Sequence, residues 1–351
     1  MNVKYIYSFL AVLVLFLLAY VGVAGLGLEW LFGIIVPYLA VLVFVVFGIK
    51  RVMGWGRSAV PFRIPTTAGQ QKSLDWIPDS PIDNPTTKLG VWIRMALEVL
   101  TFRSLFRNTR MKLGAGPKIS YNLEIFLWLG SLAFHYAFFV TLVRHLRLFT
   151  EPVPFFVRLI ETVDSFFRIE ILYDPIQVAL PGVFISGIVL LVAVTYLLLR
   201  RLFISQVRYI SLASDFFPLF LILGIAFTGI LMRYFLKINV VAAKELAMGL
   251  VTFHPTIPEG LGALFYVHLF FVSVLLAYFP FSKLMHLGGI FLSPTRNLTT
   301  NTRAVRHVNP WNYPVKIHTY EAYEDDFREK MVEAGLPVEK MPAATAAEEK
   351  E

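Results

Sequence analysis

The stretch NLEIFLWLGSLAFHYAFFVTLVRHLR, residues 122–147, decides the fold. Its central part, residues 125–143, contains no Asp, Glu, Lys or Arg. A bilayer core about 30 Å thick needs about 20 apolar helical residues, so the stretch predicts a transmembrane helix. The helix carries His135 and His145. An ionisable side chain at membrane depth is costly, and it therefore indicates a functional site.

The rest of the chain has the composition of a membrane protein. It is 57% hydrophobic and 16% charged, whereas soluble domains carry about 25% charged residues. Apolar stretches predict five further spans, at about residues 5–25, 29–49, 175–199, 211–236 and 260–286. The first could instead be a signal peptide, but its apolar run exceeds the about 7–15 residues usual there. We therefore expect an all-α integral membrane protein with a bundle of about six transmembrane helices.

Four regions follow from this pattern. Residues 1–50 form two N-terminal transmembrane helices, and residues 51–121 form a basic loop. Apolar residues recur at helical spacing in the second half of that loop, which predicts a helix lying on the membrane surface. Residues 122–289 form a four-helix core, and residues 290–351 form a polar tail.

The distribution of charge predicts the orientation. Residues 51–120 contain eleven Lys and Arg but four Asp and Glu, and basic loops face the cytoplasm. Six spans then place both termini in the cytoplasm of a prokaryotic cell, with the chain embedded as a multi-pass protein in the lipid of its cytoplasmic membrane. The basic residues that give the chain its net charge of +8 lie beside apolar spans, so we expect no nucleic-acid partner. The chain has no cysteine, which excludes iron–sulfur clusters held by this chain.

Two more histidines, His268 and His286, lie in the last predicted span. Ten residues separate the first two histidines, a rise of about 15 Å in a helix, and 18 separate the second two, about five turns. The third and sixth spans are antiparallel. His135 and His286 therefore lie nearer the cytoplasm, and His145 and His268 nearer the outside. Two histidines from facing helices at one depth are typical of a haem site, so the pattern predicts two bis-His haem sites between helices three and six.

Alternatives remain open at this point. A lone neutral histidine can simply bond a neighbouring helix. His254 could replace His286 as a ligand, because His254 and His268 are 14 residues apart. However, Pro255 makes His254 a residue that precedes the helix. Zinc or copper is disfavoured, because only two ligands meet at each level.

The double spacing, His-x9-His and His-x17-His, in a Cys-free multi-span chain resembles the gamma subunit of respiratory nitrate reductase. The resemblance covers roughly residues 29–290. It implies a quinol-oxidising membrane anchor with two haem b groups. It also implies that His135 pairs with His286 and His145 with His268, so that all four act as iron ligands.

The additional first helix, the long basic loop and the tail resemble a narrower group. This group contains the membrane cytochrome b subunit of the sulfite-reduction-associated complex and related Hdr-like menaquinol-oxidising complexes. The resemblance implies menaquinol or menaquinone as substrate and a link to sulfite reduction. It also implies a cytoplasmic iron–sulfur partner similar to heterodisulfide reductase, with further membrane and extracytoplasmic redox subunits as additional candidates.

Basic residues near the outer histidine are further candidates for binding. Arg144 and Arg147 flank His145 and could face a haem propionate or a quinone carbonyl, or could extend to the membrane surface. The nitrate reductase family uses a lysine beyond this histidine, but no lysine lies between His145 and Leu199 here. Arg168 is the nearest basic substitute. Asp215 and Glu124 could relay protons, but residues at such positions more often cap helices.

The tail carries a helical stripe of Tyr320, Tyr323, Phe327 and Met331, which Gly335 ends. Such aromatic residues are enriched at interfaces, so we expect the tail to bind the partner, or else to fold back onto the basic loop. A membrane transporter or ion channel that uses its intramembrane His and Arg is the alternative function. We find no inverted repeat that would favour it.

Overall fold

The computed structural model describes residues 3–58, 70–114, 116, 118–166, 169–173, 176–180, 182–301 and 317–340, with the backbone alone at 112, 169–173, 176–180 and 294. In these parts of the chain six helical segments are long and apolar enough to cross a membrane: Lys4–Ala24, Leu31–Gly56, Ile125–Leu148, Ile185–Phe203, Ala213–Leu236 and Ala263–Phe281. The predicted all-α bundle of about six spans is therefore confirmed.

The helices are α1 (Lys4–Ala24), α2 (Val36–Gly56, after a π turn at Leu31–Ile35), α3 (Lys88–Thr101), α4 (Arg103–Phe106), α5 (Ile125–His145), α6 (Phe155–Asp164), α7 (Ile185–Phe203), α8 (Ser205–Ile210), α9 (Ala213–Ile230, followed by a π turn at Leu231–Leu236), α10 (Val240–Val251), α11 (Ala263–Tyr278), α12 (His286–Leu292), α13 (Pro294–Asn297) and α14 (Tyr320–Glu333). Short antiparallel pairs join β1 (Thr109–Leu113) to β2 (Ile119–Leu123), β3 (Ser165–Phe166) to β6 (Val183–Phe184), and β4 (Ile169–Tyr173) to β5 (Ile176–Leu180).

Helix α9 lies at the centre of the bundle and packs against α1, α7 and α11, while α5 packs against α7. The ammonium group of Lys4 donates to the carbonyl of Ser211 at 3.2 Å, and Ser8 donates to the carbonyl of Ala213 at 2.9 Å. Helices α1 and α9 therefore start at the same end of the bundle. Lys283, beyond α11, binds Asp215 near the start of α9 at 2.7 Å. This end of the bundle, which carries Lys4 and Lys283, is called the basic end below.

The last predicted span is wrong in one important respect. We expected one helix over residues 260–286, but α11 ends at Tyr278. Two 3-10 turns follow, Phe279–Phe281 and Lys283–Met285, and His286 begins a separate helix. Pro280 has no N–H to donate and its ring crowds the preceding turn, which favours the end of the helix, and the extended backbone of Ser282 completes the break. The five-turn spacing of His268 and His286 therefore does not hold.

The fourth span also begins later than expected. We placed it at residues 175–199, but α7 covers Ile185–Phe203, and strands occupy part of the preceding segment. Pro181 and Gly182 precede the helix in the sequence. Both residues disfavour the interior of a helix, so the helical run starts only after them.

A helix, α3, is present in the second half of the basic loop, and its buried face combines the apolar Met95 with the charged Arg94 and Glu98. Trp92 is 74% exposed, whereas Arg94 is 1% exposed. Arg94 donates hydrogen bonds to the carbonyls of Asp83 and Leu298, each at 3.1 Å. The backbone N–H of Thr300 donates to the carbonyl of Pro85 at 2.6 Å. The first residues of the predicted tail are therefore bound to the loop.

The chain divides into two compact units, residues 1–53 with 63–305, and residues 54–62 with 306–351. In the second unit the predicted tail helix is α14, which ends before Gly335. Glu324 accepts hydrogen bonds from the backbone N–H groups of Glu339 and Lys340, at 2.7 and 2.9 Å. These bonds hold the pKa of Glu324 below its ordinary value. The tail sequence also contains Trp311 and Tyr313, two further aromatic residues that we expect at a partner interface; these two residues, His307 and residues 341–351 lie outside the described residues.

Candidate functional site

The four membrane histidines meet in two pairs. The rings of His135, on α5, and His286, at the start of α12, have centroids 5.9 Å apart and planes at 82°. The rings of His145, the last residue of α5, and His268, on α11, have centroids 6.5 Å apart and planes at 16°. The two pairs are those expected from the depths of the histidines in the sequence. His286, however, is held by α12, a separate helix that follows the break in the last span.

The pairs lie at different depths in the bundle. His286 follows Lys283, whose contact with Asp215 belongs to the basic end. On α5 the other pair is ten residues further along, a rise of about 15 Å. One pair therefore lies toward the basic end, and we call it the basic-end pair. The other lies toward the opposite end, and we call it the far pair.

Each ring is fixed through its Nδ1 atom. Nδ1 of His135 lies 2.7 Å from the carbonyl oxygen of Ser131, and that of His145 lies 2.7 Å from the carbonyl oxygen of Thr141. Nδ1 of His286 lies 2.8 Å from the carbonyl oxygen of Lys283. Because a carbonyl oxygen only accepts, Nδ1 carries the proton in these three rings, and the lone pair is on Nε2.

The fourth ring follows the same pattern with a different acceptor. Nδ1 of His268 lies 2.8 Å from the hydroxyl of Thr228, on α9. In metal sites, a histidine ligand commonly donates its second ring N–H to a protein group, which fixes the tautomer and the orientation of the ring. All four histidines therefore have the hydrogen bonding of ligands that bind through Nε2.

The separation of the rings allows one atom to be bound between them. A metal–imidazole bond is about 2 Å long, so two opposed rings bound to one ion have centroids about 6 Å apart. The observed separations of 5.9 and 6.5 Å agree with this value. In the described part of the chain no three His, Cys, Asp or Glu side chains form a group that could hold a metal ion. Two ligands from the protein suit haem, whose porphyrin supplies the remaining ligands to the iron.

His254 is not brought to either pair. It follows α10, its side chain is exposed, and its Nδ1 lies 2.8 Å from the carbonyl oxygen of Thr252. Among the ring contacts of the described residues, none joins it to another histidine. The alternative ligand set therefore finds no support in the geometry.

Arg144 takes part in a buried ion pair that the sequence did not suggest. Its guanidinium binds the carboxylate of Asp164, the last residue of α6, and the side chains are 13% and 8% exposed. The same carboxylate accepts hydrogen bonds from Ser186, from its N–H at 2.7 Å and from its hydroxyl at 2.6 Å. The guanidinium also lies 3.5 Å above the ring of Phe184. This cluster, Arg144, Asp164, Phe184 and Ser186, joins α5, α6 and the start of α7 beside His145.

The other predicted polar candidates have simpler positions. Arg147 forms an ion pair with Glu161 at 3.0 Å, and Arg168 lies outside the described residues. Asp215 accepts from the N–H of Leu212 at 3.0 Å, which confirms its capping role. Glu124 instead forms an ion pair with Arg200 at 3.0 Å. Neither carboxylate is needed as a proton relay to explain its position.

Comparison with known proteins places the chain in a family. A profile of the nitrate reductase gamma subunit family matches residues 95–308, more than half of the chain. A protein of Archaeoglobus fulgidus, described as a Hdr-like menaquinol oxidoreductase cytochrome b-like subunit, is 45% identical over 289 residues, which cover 80% of this chain and 83% of that protein. A protein of the same description from Archaeoglobus profundus is 41% identical over 283 residues, which cover 79% and 81%.

The fold and these matches define a multi-pass membrane protein related to cytochrome b-like subunits of quinol oxidoreductases. The chain belongs to the nitrate reductase gamma subunit family. Both resemblances expected from the sequence, to that family and to the Hdr-like group, are confirmed.

Proposed function

We propose that the chain is a dihaem cytochrome b subunit that carries electrons between menaquinol in the membrane and a partner protein in the cytoplasm. His135 and His286 would hold one haem b, and His145 and His268 the other. The observation that carries the proposal is the two ring pairs, whose separations of 5.9 and 6.5 Å suit one bound iron each. Bound haem supplies the one-electron redox chemistry.

The chain's own residues then have three tasks. The Nε2 atoms of the four histidines would bind the haem iron. The acceptors at their Nδ1 atoms hold the rings in one tautomer and one orientation. The apolar side chains of the spans would give the bound groups surroundings of low dielectric constant. The cluster of Arg144 and Asp164 fixes α5 against α6 and α7 at the C-terminal end of α5, where His145 lies.

Menaquinol is proposed as the substrate because the two relatives are described as menaquinol oxidoreductase subunits. We expect a reduced menaquinone analogue, added without oxygen to the purified protein, to produce the absorption bands of reduced haem b. The control is the same analogue in its oxidised form. A protein that contains haem but is not reduced by menaquinol would contradict the substrate, and a protein without haem would contradict the cofactor.

We propose that the basic end faces the cytoplasm, with both termini there. Lys4, Arg201 and Lys283 lie at this end, and basic residues accumulate on the cytoplasmic side of membrane proteins. Because the chain has no cysteine, a single introduced cysteine can report the side. In intact cells an impermeant maleimide should label Thr256→Cys, and it should label Ser205→Cys only after the membrane is opened. The opposite pattern would contradict the orientation.

The partner that we propose is a cytoplasmic iron–sulfur subunit, similar to heterodisulfide reductase, that binds α14. Tyr320, Tyr323 and Phe327 are exposed on this helix, and aromatic residues are enriched in the cores of interfaces. Without cysteine the chain cannot supply an iron–sulfur cluster, so the next redox centre belongs to another chain. The link to sulfite reduction and further subunits stay predictions from the resemblance.

Truncation after Thr300 tests this partner site. It keeps the hydrogen bond of Thr300 with Pro85 and removes α14. We expect the truncated chain to retain both haems and their reduction by menaquinol, while the soluble partner no longer co-purifies. A milder variant replaces Tyr320, Tyr323 and Phe327 by alanine and should weaken co-purification in the same direction. Undiminished binding by the truncated chain would show that another surface makes the contact.

A further inference from the structure

His268 differs from the other three membrane histidines in the group that holds its ring. The Nδ1 atoms of the other three lie against backbone carbonyls within four residues in the sequence. Nδ1 of His268 lies 2.8 Å from the hydroxyl oxygen of Thr228, forty residues away on α9. Thr228 is buried. His268 is therefore the one membrane histidine whose Nδ1 contacts a side chain of another span, although the backbone carbonyl of Ile225 on the same helix also accepts a hydrogen bond from this ring.

The direction of this hydrogen bond follows from the surroundings of Thr228. Its hydroxyl oxygen lies 2.8 Å from the carbonyl oxygen of Gly224 and 3.1 Å from that of Ile225. The hydroxyl has one proton, which it donates to these carbonyls of its own helix. Its oxygen therefore accepts from Nδ1–H of His268, which leaves the lone pair of that ring on Nε2.

The neighbouring residue makes room for the ring. A Cβ atom at Gly229 would lie 3.3 Å from Cε1 of His268, tighter than an ordinary van der Waals contact. Glycine at this position lets the ring approach α9 closely. Thr228 and Gly229 together form a short surface of α9 that fits the edge of the imidazole.

We infer that Thr228 is a positioning residue that fixes the tautomer and plane of His268 and thereby sets the reduction potential of the haem at the far pair. The inference rests on the proposed function. A hydrogen bond donated by Nδ1 makes the imidazole more basic, and a more basic ligand stabilises ferric iron over ferrous iron. Loss of the Thr228 hydroxyl leaves only the Ile225 carbonyl as an acceptor, weakens the hydrogen bond donated by Nδ1 and therefore raises the potential of that haem.

The geometry of the rings allows the two haems to be told apart. The rings of the far pair are close to parallel, at 16°, and those of the basic-end pair are close to perpendicular, at 82°. When the two imidazole planes are parallel, the two iron d orbitals that interact with them differ in energy. When the planes are perpendicular, the energies of these two orbitals are nearly equal. The far pair should therefore give the less anisotropic of two low-spin electron paramagnetic resonance (EPR) signals.

The test compares Thr228→Val, which keeps the shape but removes the hydroxyl, with Thr228→Ser, which keeps the hydroxyl. Thr195→Val is the matched control, because Thr195 is a threonine of α7 whose hydroxyl donates to the carbonyl of Leu191 at 2.7 Å. Haem content and redox titration followed by EPR are the readouts. We expect Thr228→Val to keep two haems and to raise the potential of the less anisotropic signal alone. Thr228→Ser and Thr195→Val should titrate like the unchanged protein.

Three results would overturn the inference: unchanged potentials in Thr228→Val, an equal shift in Thr228→Ser, or a shift of the more anisotropic signal. Thr228→Ala gives a second removal of the hydroxyl if the valine variant does not accumulate, and the same criteria apply to it. An unchanged protein without haem would instead contradict the proposed function, so the two failures are distinguishable.

Discussion

A chain with His145→Ala or His268→Ala is expected to contain one haem b instead of two. The two pairs are about 15 Å apart along α5, so the loss of one ligand at the far pair leaves the basic-end pair unchanged. His135→Ala or His286→Ala should remove the other haem. The measurement is the haem content of purified variants, combined with EPR to identify the haem that remains.

His254→Ala is the matched control for this series. Its Nδ1 lies against the carbonyl oxygen of Thr252, and no ring contact of the described residues joins it to either pair, so we expect the variant to keep both haems. Loss of a haem in His254→Ala, together with two haems in His286→Ala, would contradict the ligand assignment.

Asp164→Ala is expected to destabilise the protein more than any substitution of a surface charge. It leaves the guanidinium of Arg144, 13% exposed, without its carboxylate. Removing one partner of a buried pair costs about 3–5 kcal/mol. It also removes the acceptor of both hydrogen bonds from Ser186. Unfolding of the purified protein in detergent, followed by the loss of haem absorption on heating, measures the effect.

Glu161→Ala provides the comparison. It breaks the pair with Arg147, whose side chain is 44% exposed, and exposed pairs contribute about 0–1 kcal/mol. A double variant, Arg144→Met with Asp164→Leu, removes both charges and should recover part of the stability lost in Asp164→Ala. Equal stability of Asp164→Ala and Glu161→Ala would show that the cluster does not hold α5 against α6 and α7.

The number of spans and the pairing of the histidines could be predicted from the sequence. Hydropathy identifies spans because a bilayer leaves few alternatives to an apolar helix. The alternation of antiparallel spans then fixes which histidine lies at which depth. For this reason His135 and His286 were expected together even though the geometry assumed for the last span was wrong.

Local geometry was harder to predict, because it depends on contacts between distant residues. The break after Tyr278 presents His286 from a new helix, which a fixed helical period cannot anticipate. Arg94 lies inward because three backbone carbonyls of the loop and tail surround its guanidinium. Thr228 was missed because a threonine in an apolar span has no distinctive pattern. The cluster of Arg144 and Asp164 was also missed, because the segment before the fourth span contains several other charged residues, among them Arg158 and Glu161, and nothing in its pattern singles out Asp164.

The amount of haem b per chain, measured as the pyridine haemochrome of the purified protein, tests the central claim most directly. The account predicts two haem b groups per chain, held by His135 with His286 and by His145 with His268. A protein that binds none, after expression in a host that supplies haem, would contradict it.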